Sequence, residues 1–185
     1  MHASALLNKS TALIICGDSG SGKSSLAALM AIQGATILTD DLCIVGQSAN
    51  ELPQIIPLTD SLKIDESFVS SKNINRRHMI SFDEDTNKYR FRVREHHSNK
   101  EDYNKIVLVL LQNKDDKHHT ILKGGDALKS IYYHSGVPGA LLTQEDKVNR
   151  GEKIITLLKQ SEVHMLNRYG QTDYQLVSAL MRLCQ

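Results

Sequence analysis

Gly17-Asp18-Ser19-Gly20-Ser21-Gly22-Lys23-Ser24 spells G-x-x-x-x-G-K-[ST], and the sequence on either side decides how it is read. An apolar run, Thr11–Cys16, leads in with the look of a buried strand, and Ser25–Ile32 leads out as a helix. In that setting the glycines let the backbone wrap a polyphosphate, with successive N–H groups and the helix N-terminus aimed at the anion. Gly17, Asp18, Ser19, Gly20, Ser21, Gly22, Lys23, Ser24 and Ser25 are then the nucleotide-binding residues. Lys23 reaches the β- and γ-phosphates, and the Ser24 hydroxyl binds Mg²⁺. The competing reading is a flexible Gly/Ser turn that matches by chance, but such a turn requires neither the strand before it nor the helix after it. The expected ligand is a nucleoside triphosphate.

A chain of 185 residues is long enough for one substantial domain, expected to span 1–185. Its 41% apolar and 23% charged residues are ordinary for a globular protein. A net charge of +1 gives no overall field favouring nucleic acid or an anionic membrane. No apolar run approaches the roughly 18–20 residues that cross a bilayer. The start, Met1–Leu7, lacks the basic segment and apolar core of a signal peptide. Cys16, Cys43 and Cys184 are odd in number and have no metal-type spacing. The first two, inside apolar strands, read as reduced hydrophobes. These features together predict a cytoplasmic protein.

Working outward, Ala3–Leu7 and Thr11–Ile15 read as a hairpin turning at Asn8-Lys9-Ser10. The helix after the loop stops at Gly34, and short strands follow at Ala35–Leu38 and Leu42–Val45. Pro53 and Pro57 bracket an edge-type extended piece, and Leu62–Ile64 reads as another strand. Asp65–Lys88 is expected to be loop-rich. Tyr89–Val93 alternates with Arg90, Arg92 and Arg94, which gives one apolar and one cationic face. Arg94–Asp102 reads as a loop, Ile106–Leu111 as a buried strand, and Ile121-Leu122 as the end of its partner. Helices are predicted from Asp126 to Tyr133, Gln144 to Lys159 and Asp173 to Leu183, with Asp173 as an N-cap and a last strand at Glu162–Leu166.

Asp40-Asp41, directly after the strand that follows the first helix, is the second informative element. Phosphoryl transfer needs one carboxylate to hold Mg²⁺ and another to orient the nucleophile and take its proton. Adjacent side chains on an extended segment point to opposite sides, but at a turn they can splay around one site. A solvated turn is the alternative.

Three NTPase classes compete. Asn113-Lys114-Asp115-Asp116 imitates a guanine-reading N-K-x-D element, but no Asp in the chain is followed by Gly three residues later. Without that D-x-x-G a GTPase is disfavoured, and Asn113–Asp116 reads as a hydrophilic hairpin turn. A transport-type ATPase needs a second signature loop that the sequence lacks. A kinase with an early acidic pair remains.

His2, the loop Gly17–Ser24 and the pair Asp40-Asp41, in that order and spacing, resemble the catalytic domain of HPr kinase/phosphorylase, a family related in structure to phosphoenolpyruvate carboxykinase. The resemblance covers His2 to Val45. It implies an α/β P-loop kinase domain with a mixed, strand-rich sheet and C-terminal helices. It also implies ATP and Mg²⁺ as cofactors, His2 near the phosphates, Asp40 as catalytic proton acceptor, and Asp41 with Ser24 on the metal. The implied acceptor is a serine on a small protein or peptide, and relatives of this kind form homo-oligomers. The family's E-[IV]-R-G-x-G segment is missing, which points to a short, stand-alone relative and leaves a non-catalytic ATP-binding regulator as the alternative. Arg76-Arg77 and the Arg90/Arg92/Arg94 face are the candidates for anchoring an acceptor or phosphate. His96-His97 and His118-His119 read as loop residues rather than metal ligands, and Tyr132-Tyr133 as helix packing.

Overall fold

The N-terminal apolar runs fold back on each other, β1 (Ala3–Asn8) pairing antiparallel with β2 (Thr11–Gly17) from Asn8↔Thr11 to Ala3↔Cys16. The computed structural model describes residues 1–47, 53–56, 58–59, 61–72, 74–75, 79–92, 103–114, 119–136 and 141–185. After β2 come α1 (Lys23–Ile32), β3 (Thr36–Thr39), β4 (Ile44–Gln47), β5 (Pro53–Ile56), β6 (Ser61–Asp65) and α2 (Glu66–Ser71). Then follow β7 (Met79–Asp83), β8 (Lys88–Arg92), β9 (Lys105–Gln112), β10 (His119–Leu122), α3 (Gly124–His134), α4 (Gln144–Lys159), β11 (Ser161–Asn167) and α5 (Asp173–Leu183).

The main sheet has six strands in the order β10-β11-β9-β2-β1-β3. Its three central strands, β11, β9 and β2, are parallel, while β10, β1 and β3 each run antiparallel to their inner neighbour. Parallel strands covered on both faces are continuously apolar rather than alternating. β2 and the core of β9 show this, being buried from Thr11 to Gly17 and from Ile106 to Leu111. Leu13, Ile15, Val107 and Val109 pack with Leu26, Met30, Leu176 and Leu180 of α1 and α5. Ile14, Cys16, Leu108 and Leu110 pack on the other face with Ile131 and Leu157 of α3 and α4. Each such Leu or Ile contributes about 1.5–3 kcal/mol by leaving water. Beside α1, β6, β8 and β7 form a three-stranded antiparallel sheet, and β4 pairs with β5.

Several sequence expectations are corrected here. Asp65–Lys88 is not merely loop: Asp65 caps α2 by accepting from the Ser67 amide, and β7 pairs with β8. β7 escaped notice because, from Ile80 to Asp83, it is exposed on both faces and carries no alternation. β10 is not the hairpin partner of β9, since β11 lies between them. α5 is capped by Thr172 rather than Asp173, in a capping box with Gln175. Cys43 is buried but lies outside β4, and the exposed Leu42 precedes it. Pro57, Arg76-Arg77, Arg94, His96-His97, Asp115-Asp116 and His118 lie outside the described residues. Among the described residues no helix is long and apolar enough to cross a membrane.

Candidate functional site

Parallel β2, β9 and β11 end at one edge of the sheet, and β3, antiparallel to β1, ends there too. In open α/β sheets this carboxyl edge is where ligands bind. The glycine-rich loop joins β2 to α1 at that edge, and close packing explains its composition. A Cβ on Gly17 would lie 2.6 Å from the Leu111 carbonyl oxygen and 2.8 Å from Ser21 Oγ. Gly22, at φ 92°, is the N-cap of α1 and offers no side chain to the helix N–H groups. The first turn of α1 also lacks an acidic residue. Such a terminus leaves unbonded amides and a positive dipole end, which suits an anion. Ser21 Oγ is buried and has no hydrogen-bond partner among the described residues.

Lys23 folds back across this loop, donating from Nζ to the carbonyls of Gly17 at 2.9 Å and Asp18 at 3.0 Å. Burial holds its pKa below the usual lysine value, against the opposing pull of Cys16 and of Asp40, Asp41 and Asp18. Asp18, Ser19 and Gly20 are exposed at the loop tip, and Ser25 is half-buried on α1.

Asp40 follows β3 and is buried. Its Oδ1 accepts from Ser4 Oγ at 2.6 Å and from Ser24 Oγ at 3.0 Å, and its Oδ2 accepts from the Lys63 amide at 3.3 Å. Burial raises its pKa above the usual carboxylate value; Asp41 adds to that, while the hydrogen bonds from Ser4, Lys63 and Ser24 work against it. The two aspartates part company at a tight turn. The Leu42 amide donates to the Asp40 carbonyl at 2.7 Å, and Asp41 takes φ 63° and stays exposed. Ser24 therefore bonds to Asp40.

His2 is exposed, one residue beyond the Ala3↔Cys16 pair and thus next to the loop's first glycine. Its amide donates to the His134 carbonyl at 3.3 Å. Burial lowers the His134 pKa, with Asp18 pulling it up and Lys23 and His2 pushing it further down. His134, Ser4, Lys63 and Arg168 are residues of this edge that sequence reasoning did not single out. Only Ser4 left a legible trace, as a polar residue inside the apolar run Ala3-Ser4-Ala5-Leu6.

The other candidates lie elsewhere or serve packing. Lys114 is held through its main chain by the Asn167 side chain. Arg90 is exposed on β8, opposite Lys63 of β6. His119 Nε2 lies 2.9 Å from His164 Nδ1. Among the described residues no three His, Cys, Asp or Glu side chains converge as a metal-binding group. Tyr132 packs against the core beneath Arg150, whereas Tyr133 is exposed.

The chain is thus an α/β protein with a mixed sheet, carrying a cluster of buried polar groups at its carboxyl edge. No family model matches the chain. No curated protein matches it either. Among solved structures it is similar to the Hpr(Ser) kinase/phosphatase from Coxiella burnetii, at 12% identity and a TM-score of 0.45, covering 99% of this chain and 86% of that one.

Proposed function

We propose that this chain is an ATP-dependent phosphotransferase that moves the γ-phosphate of ATP to a serine hydroxyl of a small protein or peptide. One observation carries the proposal: a buried carboxylate, Asp40, hydrogen-bonded at 3.0 Å to Ser24 in the first turn of the helix that the glycine-rich loop opens. A carboxylate there sits at the mouth of an anion cradle, where a nucleophile would approach. The residues fit a triphosphate tail. The helix terminus has no side-chain cap, Ser21 Oγ has no partner among the described residues, and Lys23 is satisfied by two neutral carbonyls.

The loop amides bind the phosphates, and Lys23 exchanges its carbonyls for the β- and γ-oxygens. Asp40 hydrogen-bonds the acceptor hydroxyl and takes its proton as the new O–P bond forms and the bond to the ADP oxygen breaks. Mg²⁺, held by Ser24 and Asp41, would neutralise charge on the phosphate oxygens. The Ser24–Asp40 bond is also compatible with the two aspartates exchanging roles, Asp40 beside Ser24 at the metal and Asp41 toward the acceptor.

The test is incubation with γ-labelled ATP and cell extract. Label on serine in a small product supports a kinase. Tight ATP binding with no transfer to any acceptor identifies a non-catalytic ATP-binding regulator instead, and preference for GTP in a binding competition identifies a GTPase. To separate the two aspartates, Mg²⁺ is titrated into Asp40→Asn and Asp41→Asn. The variant that needs more Mg²⁺ for half-maximal ATP binding has lost the metal ligand.

A further inference from the structure

Arg168, just beyond β11, reaches the glycine-rich loop from 147 residues further along the chain, donating from Nη1 to the Ser21 carbonyl at 3.1 Å. Its Nη2 donates to Asp173 Oδ1 at 2.6 Å, and Asp173 Oδ2 pairs with Lys72 at 2.7 Å. The Arg168 amide is itself fixed to the Gln112 carbonyl at 2.7 Å, so the base of the side chain is anchored to the end of β9. The guanidinium meets Gly22 end-on through Nη1: a Cβ there would come within 1.7 Å of Nη1, 2.9 Å of Cζ and 3.5 Å of Nη2. The φ of 92° favours glycine at this last loop position, and a side chain there would push the Arg168 guanidinium off the loop.

The chemistry follows from one peptide plane. The Ser21–Gly22 bond is trans, as are all the described peptide bonds, so its C=O and N–H point in opposite directions. A guanidinium that holds the Ser21 carbonyl on one side of the ribbon turns the Gly22 N–H to the other. We infer that Arg168 is a positioning residue: by holding the Ser21 carbonyl it aims the Gly22 amide into the anion cradle, and Asp173, kept in place by Lys72, fixes the direction of the guanidinium. The bond is charge-assisted, and the fork of two N–H groups joins a carbonyl and a carboxylate with one rigid group. Lysine, a single point donor, cannot hold both in that geometry. This inference rests on the nucleotide-binding proposal above and assigns the residue that sets its affinity.

The experiment uses the full chain and its Arg168→Gln, Arg168→Lys and Asp173→Asn variants. ATP affinity is measured by calorimetry, the ¹H–¹⁵N shift of the Gly22 amide is read without nucleotide, and urea unfolding is followed as a fold check. Both Arg168 variants are expected to weaken ATP binding about 10- to 100-fold, the scale of one lost charge-assisted hydrogen bond. Asp173→Asn is expected to lose less, and the Gly22 amide is expected to shift while that of Gly34 stays in place. A merely structural role would lower the urea midpoint and leave folded-state affinity and the Gly22 shift unchanged; that result overturns the inference. So does full ATP affinity in Arg168→Lys, which would show that charge alone suffices. If the wild type binds no ATP but the Gly22 amide still follows Arg168, the nucleotide proposal falls and the latch stands.

Discussion

The two edges of the central sheet bury polar groups to opposite ends. At the amino edge, where β2 and β9 begin, polar side chains tie down the end of α5. Thr11 donates to the Cys184 carbonyl, Lys105 to the Leu183 carbonyl, and Asn8 to the Met181 sulfur. The ion pair there, Lys105 with Glu162 at 3.2 Å, is largely open to water. Charges in that position keep their hydration and contribute little. At the carboxyl edge Lys23 and Asp40 are buried, and each is pushed by desolvation toward its neutral form. Desolvation of two such groups costs stability that their hydrogen bonds offset only in part, and groups held in this way cluster at functional sites.

Substitutions can break this contrast. The largest effect is expected from Lys23→Ala, which removes the cation spanning the loop; transfer of label from γ-labelled ATP should fall to background. Asp40→Asn should leave ATP binding within a few-fold while lowering turnover on the order of 10²–10⁴, the size of a general-base contribution. Full turnover in Asp40→Asn would exclude Asp40 as the proton acceptor.

The same carboxylate sets a pH limit. Because burial raises the Asp40 pKa in the fold, the acid limb of kcat/KM should lie above the ordinary aspartate value of 3.8. Activity falls as pH drops through that raised pKa, because a protonated Asp40 cannot accept a proton, and Asp40→Asn should remove the limb. For folding, the sign is opposite. A raised carboxyl pKa contributes stability that is present below the unfolded value and is lost as pH rises through the folded one. Urea midpoints of the wild type should therefore gain from mild acid at this site, even as catalysis declines. The smallest effect belongs to the amino edge: Glu162→Gln should change stability by about 0.2–1 kcal/mol in urea unfolding and leave turnover untouched. A large loss of activity there would erase the distinction between the edges.

Much of the architecture was legible because its causes are local. Thr11–Cys16 and Ile106–Leu111 are continuous apolar runs, and only strands covered on both faces need them. α4 occupies Gln144–Lys159 and α5 Asp173–Leu183, the ranges the apolar pattern predicts, although the cap of α5 falls on Thr172 rather than Asp173. β7 was not legible, since a strand exposed on both faces has no pattern to read, and neither was the placement of β11 between β9 and β10. Strand order arises from helices choosing a face of the sheet, and no window of a few residues records that choice.

The candidate site divides along the same line. Lys23, Ser24 and the acidic pair stand out in the sequence because a glycine-rich turn between strand and helix needs specific residue types at fixed spacing. Which aspartate turns inward depends on a left-handed backbone at Asp41, and that in turn on the contacts of Ser4 and Lys63 with Asp40. Ser4 of β1 and Lys63 of β6 meet Asp40, and Arg168, just beyond β11, meets the loop, only once the chain has folded. Backbone geometry near a motif is set by its own residues, within a turn or two. Convergence of side chains across the fold is set by long-range packing, so only the tertiary structure decides it.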